Sequence, residues 1–412
     1  MKNEIRAYGE AIRAYARKNY RACFREPSGI MKHRFIVPGS TYSDSLWDWD
    51  SWLVDLALRR VADGEEILPY EQGCVLNFLD AMDGRGRIPI MMTPRECSTG
   101  EDENGEERYN IHKPCIAQHA LFISDACGNV EWLRDRFSQI LRFLDWYREN
   151  ALHESGLYVW ISDNAIGVDN DPCTFYRPRK SSASIYLNCL LYRELLSAAE
   201  LAARLSRPSE AADLAARAEA LRAAIRTHCW DERDGAYYSV DVNLVPIDPN
   251  GTWHAGCPRH WSTLLQRFDV WSNFLPLWAG IATEEEARRM VEGHYKNERT
   301  FLAPYGVRTL GRQEKMYAII KSGNPSCWLG PIWGIANYMV FCGLVRYGFT
   351  AEARDLAEKT VTLFGKDLAA CGELHEYYHP DTGEGIMNPG FQNWNLLSIN
   401  MYEWLLAEEE KA

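Results

Sequence analysis

Apolar and polar residues alternate along most of this chain with the three-to-four-residue spacing of amphipathic α-helices. Residues 1–20 show this clearly, because Ile5, Tyr8, Ile12 and Tyr15 recur among Lys, Arg and Glu. The same spacing predicts further helices over residues 129–150, 185–204, 209–229, 284–294, 334–340, 350–364 and 396–407. A Pro-Ser pair separates two long Leu- and Ala-rich stretches, so residues 185–229 are predicted to form an αα-hairpin.

Polar segments that contain a glycine and then aromatic residues lie between the predicted helices. Residues 153–158 and 231–238 are typical of small β-hairpins. We therefore expect helical hairpins side by side, with their loops gathered at one end. No βαβ alternation indicates a parallel sheet, and no repeat of roughly 33–47 residues indicates a standard solenoid. Because no linker divides the chain, and residues 95–109 are typical of a surface loop, we predict one domain over residues 1–412.

Charge and cysteine content exclude several classes of function. The 412 residues carry a formal net charge of −12, which argues against binding to nucleic acids or anionic membranes. No stretch reaches about 18 uncharged apolar residues, and residues 1–20 lack the apolar core of a signal peptide. The 12 cysteines are scattered without CxxC pairs or zinc-ligand spacing. We therefore expect reduced thiols, no metal and a cytoplasmic location.

Residues 42–52 combine aromatic rings with carboxylates, since three Trp and three Asp fall within nine residues. An indole can cover the apolar face of a sugar ring while a carboxylate accepts hydrogen bonds from two of its hydroxyls. A helix start with an Asp cap and buried Trp would also give this pattern. Plain packing does not need Asp interleaved with Trp, so we interpret the segment as part of a sugar-binding site.

Two carboxylates far apart in the chain fit the cleavage of a glycosidic bond. Asp169 lies in the segment GVDNDP, and Glu376 lies in HEYYHPDTGEG. Such cleavage needs one carboxylic acid to protonate the leaving oxygen and one carboxylate on the opposite face of the sugar. On the residues alone, Asp169 also fits an ordinary turn, and Glu373 and Glu384 compete with Glu376 for the second role.

The order of several short segments resembles the glycoside hydrolase clan of trehalases and family 63 enzymes, especially its small bacterial mannosylglycerate and glucosylglycerate hydrolases. The segments are PG…WDWDSW, HKPCIAQ, GVDNDP, SIYLNCLLYRELLSAAELA, WDERDGAYY, YGVRTL, CWLGPIWGIANYMV, HEYYHPDTGEG and FQNWN. They extend from about residue 35 to residue 406. Each segment is degenerate alone, but their order is specific.

The resemblance implies an all-α fold, an (α/α)6 barrel with small β-hairpins in the loops at the active-site end. It implies an inverting hydrolase that needs no metal or cofactor and acts on a small α-glucoside or α-mannoside, such as a disaccharide or a glycerate conjugate. The family's general acid falls on Asp169 and its general base on Glu376, with carboxyl groups roughly 6.5–9.5 Å apart for inversion. We expect a dry aromatic surround to keep Asp169 protonated while Glu376 is ionised. The expected partner is the small glycoside itself, and homo-oligomerisation stays an open alternative.

The resemblance also assigns substrate contacts. The family's Trp-Asp pair falls on Trp49 and Asp50, and Tyr42 and Trp47 lie just before it. Gln118 falls in the segment that approaches the sugar ring. From the other segments, further contacts are expected from Gly167, Trp333, Tyr377 and Trp394. From its own sequence context, Trp333 fits a core position as well as a pocket wall.

Three segments depart from the family pattern. Ala165 and Ile166 replace the usual Glu-Ser before the acid turn, Leu329 replaces an Arg, and the closing segment at residues 390–394 is atypical. These changes alter polar groups around the expected pocket. They predict an unusual sugar or aglycone rather than a different reaction.

Other classes of function remain as alternatives. No phosphate-binding glycine loop and no GxSxG elbow occurs in the sequence. A sugar isomerase or epimerase on the same helical barrel would use paired histidines, for which the candidates are His119, His254, His260, His375 and His379. A glycoside phosphorylase and a non-catalytic sugar-binding protein are the remaining alternatives.

Overall fold

The computed structural model describes residues 2–98, 110–244, 261–319 and 326–411. Those residues contain twelve α-helices: α1 (Asn3–Asn19), α2 (Asp48–Leu58), α3 (Gly64–Asp80), α4 (Ile116–Cys127), α5 (Phe137–Asn150), α6 (Ile185–Arg204), α7 (Pro208–Cys229), α8 (Leu275–Ala279), α9 (Glu284–Met290), α10 (Gly334–Arg346), α11 (Thr350–Cys371) and α12 (Ser398–Glu410). They also contain short 3₁₀ helices at Tyr20–Cys23, Ser40–Tyr42, Glu131–Leu133, Trp271–Phe274 and Asn393–Leu397, and a π-helix at Val291–Tyr295.

The strands are two or three residues long and pair in antiparallel fashion within the loops. They are β1 (Phe24–Arg25), β2 (Phe35–Ile36), β3 (Leu46–Trp47), β4 (Met91–Met92), β5 (Ser182–Ala183), β6 (Trp230–Asp231), β7 (Ala236–Tyr237), β8 (Ser239–Asp241), β9 (Leu264–Gln266), β10 (Leu302–Ala303) and β11 (Gly306–Val307). The pairs are β1–β2, β3–β4, β6–β7 and β10–β11, and β8 lies between β5 and β9.

Six helices form a closed ring, because each packs against the next and the last returns to the first. Their order is α2, α4, α6, α8, α10 and α12, and α12 contacts α2. The other helices lie outside this ring: α3 packs on α4, α5 and α7 pack on α6, and α11 packs on α10. Two concentric layers of helices make the fold an (α/α)6 barrel, as the resemblance implied.

Burial distinguishes the two layers. In α2, ten of the eleven residues are buried, as expected for a helix surrounded by other elements. In α7, only six of the 22 residues are buried, and they recur three or four positions apart. One face of α7 therefore packs on α6 while the other meets solvent.

Most of the predicted helices are confirmed, with differences in where they begin, end or are interrupted. Helices α6 and α7 form the predicted αα-hairpin. The predicted helix at 129–150 is interrupted, because residues 131–133 form a 3₁₀ turn before α5. The predicted helices at 334–340 and 350–364 continue to Arg346 and Cys371. Strands β6 and β7 form the predicted hairpin at 231–238, and a single bridge joins Leu152 to Tyr158 near 153–158.

Some sequence-based expectations concern features outside the barrel itself. In the described ranges, no helix is both long enough and apolar enough to cross a bilayer. None of the cysteines in those ranges is in a disulfide. Cys257, His254, His260 and most of the predicted loop at 95–109 lie outside the described residues.

Candidate active site

The segments that precede the inner helices converge on one cavity of about 240 Å³. Its lining residues are Tyr42, Trp47, Asp50, Gly167, Asp169, Ser326, Trp328, Trp333, Glu376, Phe391 and Trp394. They come from the segments before α2, α6, α10 and α12 and from the first turn of α2. The lining includes eight of the eleven predicted site residues, so positions more than three hundred residues apart in sequence meet here.

Glu376 is positioned by the loop that follows α11. The neighbouring Tyr378 exchanges two backbone hydrogen bonds with Ile332, at 2.9 and 3.0 Å, which joins this loop to the segment before α10. The Glu376 side chain accepts hydrogen bonds from the Tyr42 hydroxyl at 3.4 Å and from the Asn388 amide. It is 5% exposed, whereas Glu373 and Glu384, its rivals in sequence, are exposed and do not line the cavity.

The environment of Glu376 favours its neutral form at acidic pH. Burial is the main cause that raises the pKa of Glu376 to about 7. Hydrogen bonds from Asn388 and Tyr42 lower this pKa, and the charge of Asp169 raises it. Glu376 is therefore ionised above about pH 7, a higher threshold than for an ordinary glutamate. The effect of Asp169 also indicates that the two carboxyl groups are close enough to interact.

The turn that carries Asp169 depends on Gly167. Its φ is 82°, in the left-handed region. A Cβ at this position would lie 2.5 Å from Lys113 Cε and 2.9 Å from the Trp49 ring. Only glycine lets the loop pass so close to these two side chains.

Asn170 holds the Asp169 turn on its other side. Its φ is 57°, which Asn tolerates better than most residues. Its Oδ1 accepts a hydrogen bond from the Trp328 backbone N–H at 3.1 Å, and its Nδ2 donates to the Ser326 carbonyl at 3.2 Å. The turn is thereby attached to the segment before α10. Asp169 is partly exposed and faces the cavity from this turn.

Asp50 lies in the first turn of α2 and is 7% exposed. Its Oδ1 accepts a hydrogen bond from Asn393 Nδ2 at 2.5 Å. Burial, with help from the charge of Asp48, raises the pKa of Asp50 to about 7, although Lys113 opposes the rise. Its carboxyl group can accept hydrogen bonds from sugar hydroxyls in the cavity.

Lys113 and Asp48 form an ion pair in the barrel interior. The Lys113 ammonium lies 2.8 Å from Asp48 Oδ1, and the Lys113 backbone N–H donates to Oδ2 at 2.8 Å. Both side chains are at most 2% exposed. Burial opposes ionisation of Asp48, but Lys113 outweighs it and lowers the pKa of Asp48. The ammonium also lies 5.0 Å from the Trp49 ring centroid. The pair thus holds the start of α2 against the segment before α4.

Stacked aromatic rings form one wall of the cavity. Trp328 and Trp333 are nearly parallel, with centroids 4.0 Å apart. Tyr377 stacks on Trp333 at 4.9 Å, and the Trp394 ring lies 5.9 Å from Trp333. The Trp333 indole N–H donates to the Cys327 carbonyl at 2.8 Å. Trp333 is therefore both a packed core residue and part of the cavity wall.

Three predicted substrate contacts, Trp49, Gln118 and Tyr377, do not line the cavity. Trp49 is 2% exposed and packs edge-on against Trp394 at 5.5 Å. Tyr377 is covered by Trp333. The Gln118 side-chain amide donates to two backbone carbonyls at 2.9 and 3.2 Å, while its backbone N–H donates to Glu194. Trp49 and Tyr377 therefore support the rings of the wall.

The histidines considered for isomerase chemistry do not meet at this cavity within the described ranges. His119 is buried against Asp55, and burial lowers the pKa of His119 to about 3. His375 Nδ1 lies 3.0 Å from Asp367. A His379 ring nitrogen accepts the Asp381 backbone N–H at 3.2 Å. Each of these rings is engaged by local contacts.

Four residues at the site were not predicted to contact substrate. Trp328 and Phe391 lie inside the recognised segments CWLGPIW and FQNWN, so their position beside Trp333 and Trp394 was the available signal. Ser326 also lines the cavity, and Asn388 donates to Glu376. Neither has a local motif, because both reach the site only through the fold.

The chain matches one protein family over most of its length. Residues 43–394 match the mannosylglycerate hydrolase MGH1-like glycoside hydrolase domain. The mannosylglycerate hydrolase MGH1 of Selaginella moellendorffii is 25% identical over 403 residues, which cover 85% of this chain and 78% of that protein. The mannosylglycerate hydrolase of Thermus thermophilus is 27% identical over 437 residues, which cover 88% of this chain and 94% of that protein.

Solved structures share the barrel. The crystal structure of a GH63 mannosylglycerate hydrolase from Thermus thermophilus in complex with glucose has a TM-score of 0.70 at 20% identity, over 95% of this chain and 100% of that chain. The neutral trehalase Nth1 from Saccharomyces cerevisiae has a TM-score of 0.66 at 18% identity, over 90% of this chain and 74% of that chain. At these identities the likeness shows the fold.

Proposed function

The chain belongs to the mannosylglycerate hydrolase MGH1-like glycoside hydrolase family, and we propose that it hydrolyses a small α-glucoside or α-mannoside with inversion at the anomeric carbon. Family membership makes it an O-glycosyl hydrolase. One observation chiefly supports the proposed reaction and its two catalytic carboxyl groups. Asp169 and Glu376 line the same cavity, together with Asp50 and several aromatic rings. This is the set of groups that glycoside hydrolysis by two carboxyl groups requires.

In this proposal Asp169 is the general acid. Its protonated carboxyl group donates a proton to the glycosidic oxygen as the bond from that oxygen to the anomeric carbon breaks. Two carboxyl groups that repel each other favour a state in which they share one proton. The charge of Asp169 is one of the causes that raise the pKa of Glu376, which is consistent with an interaction between the two carboxyl groups. The productive form carries the proton on Asp169 and the charge on Glu376.

Glu376 is the general base in this proposal. Donors favour the ionised form of a carboxylate, and Tyr42 and Asn388 both donate to Glu376. The ionised group removes a proton from water, whose oxygen attacks the anomeric carbon on the face opposite the leaving group. The products are the β-anomer of the sugar and the aglycone alcohol, which keeps the proton from Asp169.

Asp50 and the aromatic wall hold the sugar. The Asp50 carboxyl accepts hydrogen bonds from ring hydroxyls, and its Asn393 partner fixes its orientation. Trp47 and Trp394, which line the cavity, offer apolar surface to the ring. Binding of this kind orients the anomeric carbon between Asp169 and Glu376.

A panel of α-glucosides and α-mannosides, including short disaccharides and glycerate conjugates, tests the proposal. Proton NMR of a cleaved substrate should show the β-anomer first, and the rate should not depend on phosphate. Asp169→Asn and Glu376→Gln should each lower kcat by on the order of 10²–10⁴ while the melting temperature stays close to wild type. A first product with α configuration, or near wild-type rates in both variants, would overturn the assignment.

A further inference from the structure

A second cavity of about 400 Å³ adjoins the first. Asp169 and Trp47 line both cavities, so they stand at the junction between them. Asp50 and Glu376 line only the smaller one. The proposed acid thus faces two spaces, whereas the proposed base faces one.

This arrangement assigns the two halves of a glycoside to the two cavities. The general acid must contact the oxygen that links the sugar to its leaving group. The general base and the group that grips the ring hydroxyls must lie on the sugar side. The sugar therefore occupies the cavity with Asp50 and Glu376, and the leaving group occupies the larger cavity beyond Asp169. This step rests on the proposed function.

The described lining of the larger cavity is acidic. Among its described lining residues, the ionisable ones are Asp163 and Asp169, and no Lys, Arg or His is present. Lys113, behind Asp50, is already paired with Asp48. Even with the proton on Asp169, a carboxylate on the leaving group would meet the acidic Asp163 with no counter-charge from these residues, whereas carboxylate sites usually offer Arg or Lys.

The volume and lining of the larger cavity fit a ring. Its volume falls within the roughly 300–1,000 Å³ that is usual for small-molecule sites. Trp47 and Phe175 supply aromatic surface, and Ile90 and Ala165 supply aliphatic surface. The centroid of the Tyr176 ring lies 4.1 Å from that of Phe175. Tyr176 is 89% exposed, so it extends the aromatic surface toward solvent.

We propose that the larger cavity is the aglycone subsite and that it selects a neutral, ring-bearing leaving group, such as a second uncharged sugar, over an acidic one such as glycerate. Its acidic lining disfavours anions, and its aromatic lining binds the apolar face of a ring. The substrate is then a neutral α-linked disaccharide or a similar glycoside.

A matched pair of substrates tests the charge selection. The two substrates carry the same sugar, which is the one that the wild type accepts. One is its α-glycoside with glycerol and the other its α-glycoside with glycerate, and they differ only in a hydroxymethyl group in place of a carboxylate. We expect kcat/KM to be at least about tenfold higher for the glycerol conjugate. Equal or faster cleavage of the glycerate conjugate overturns this inference and leaves the hydrolase proposal intact. No cleavage of any α-glycoside overturns both.

Two variants locate the selection in this cavity. Asp163→Asn removes one acidic group, so the glycerate-to-glycerol ratio of kcat/KM should rise about fivefold. For Phe175→Ala, the ratio to follow is kcat/KM for a neutral disaccharide divided by kcat/KM for the methyl glycoside. This ratio should fall about tenfold, because the disaccharide has a second ring that packs on Phe175 and the methyl glycoside has none. Phe24→Ala is the matched control, since the Phe24 ring also lies 4.1 Å from a tyrosine ring but lines neither cavity. Unchanged ratios in both cavity variants overturn the assignment of this cavity.

Discussion

Replacing Tyr42 with Phe should raise the pKa of the proposed base. The substitution keeps the ring but removes one hydrogen bond to Glu376, whose pKa burial has already raised to about 7. The lost hydrogen bond favoured the ionised form, so its removal favours the neutral form. Because the proposed reaction needs ionised Glu376, kcat/KM should rise with pH around a midpoint near 7 in the wild type and around a higher midpoint in Tyr42→Phe.

The size of this shift follows from the geometry. The distance from the Tyr42 hydroxyl to Glu376 Oε1 is 3.4 Å, which is long for a hydrogen bond between oxygens. We therefore assign it about 0.5 kcal/mol, which is below the roughly 1.5–3 kcal/mol of well-formed hydrogen bonds to charged groups. Since about 1.36 kcal/mol corresponds to one pH unit, the midpoint should move upward by about 0.4 unit.

The assay is a profile of kcat/KM between about pH 5 and 9 on one neutral α-glycoside. Tyr70→Phe is the control, because it removes a 2.8 Å hydrogen bond between a tyrosine and the exposed Glu26, away from the cavity. It should leave the midpoint unchanged. A midpoint that stays in place or moves downward in Tyr42→Phe would refute the reasoning about Glu376.

Two further predictions concern stability. The pKa of Asp50 is raised to about 7 in the folded chain, so the ionisation of Asp50 lowers the free energy of unfolding as pH rises from about 4 through 7. Asp50→Asn removes this loss. It should increase the free energy of unfolding by on the order of 2 kcal/mol at pH 8 and by less at pH 5. Urea unfolding at the two pH values measures this, and a larger gain at pH 5 would contradict it. Lys113→Met leaves Asp48 buried without its partner and should cost about 3–5 kcal/mol in urea unfolding, part of which Asp48→Asn in the same chain should restore. An undiminished free energy of unfolding in the single variant would argue against the ion pair.

Local periodicity was sufficient to predict most helices, but their ends depend on packing. The helix predicted at 185–204 has the same first and last residues as α6, because the apolar spacing ends where the helix ends. The predicted helix at 284–294 instead changes to a π-helix after Met290. This change accompanies the burial of Tyr295 against Phe274, whose ring lies 6.1 Å away. A contact between such separate parts of the chain leaves no local signal.

The site illustrates the same limit. Spacing alone did not distinguish Glu376 from Glu373 and Glu384, and the choice came from the family resemblance. In the structure, Glu376 is the one that faces the cavity, because the loop around it pairs with the segment before α10. Its partner Asn388 lies in no recognised segment. Lys113 and Asp48 lie in the segments HKPCIAQ and WDWDSW, but neither segment indicates that the two side chains pair. Such contacts follow from the closed ring of helices and so require the three-dimensional structure.

The most direct test of the paired carboxyl groups compares two substrates of the same sugar. Fluoride leaves an α-glycosyl fluoride without help from an acid, whereas an alkoxide leaving group needs protonation. Asp169→Asn should therefore lose on the order of 10²–10⁴ in kcat/KM on the alkyl glycoside but stay within about tenfold of wild type on the fluoride. Glu376→Gln should lose activity on both, because both need the attacking water. Equal losses on the two substrates in Asp169→Asn, or a fully active Glu376→Gln on the fluoride, would contradict the assignment of acid and base.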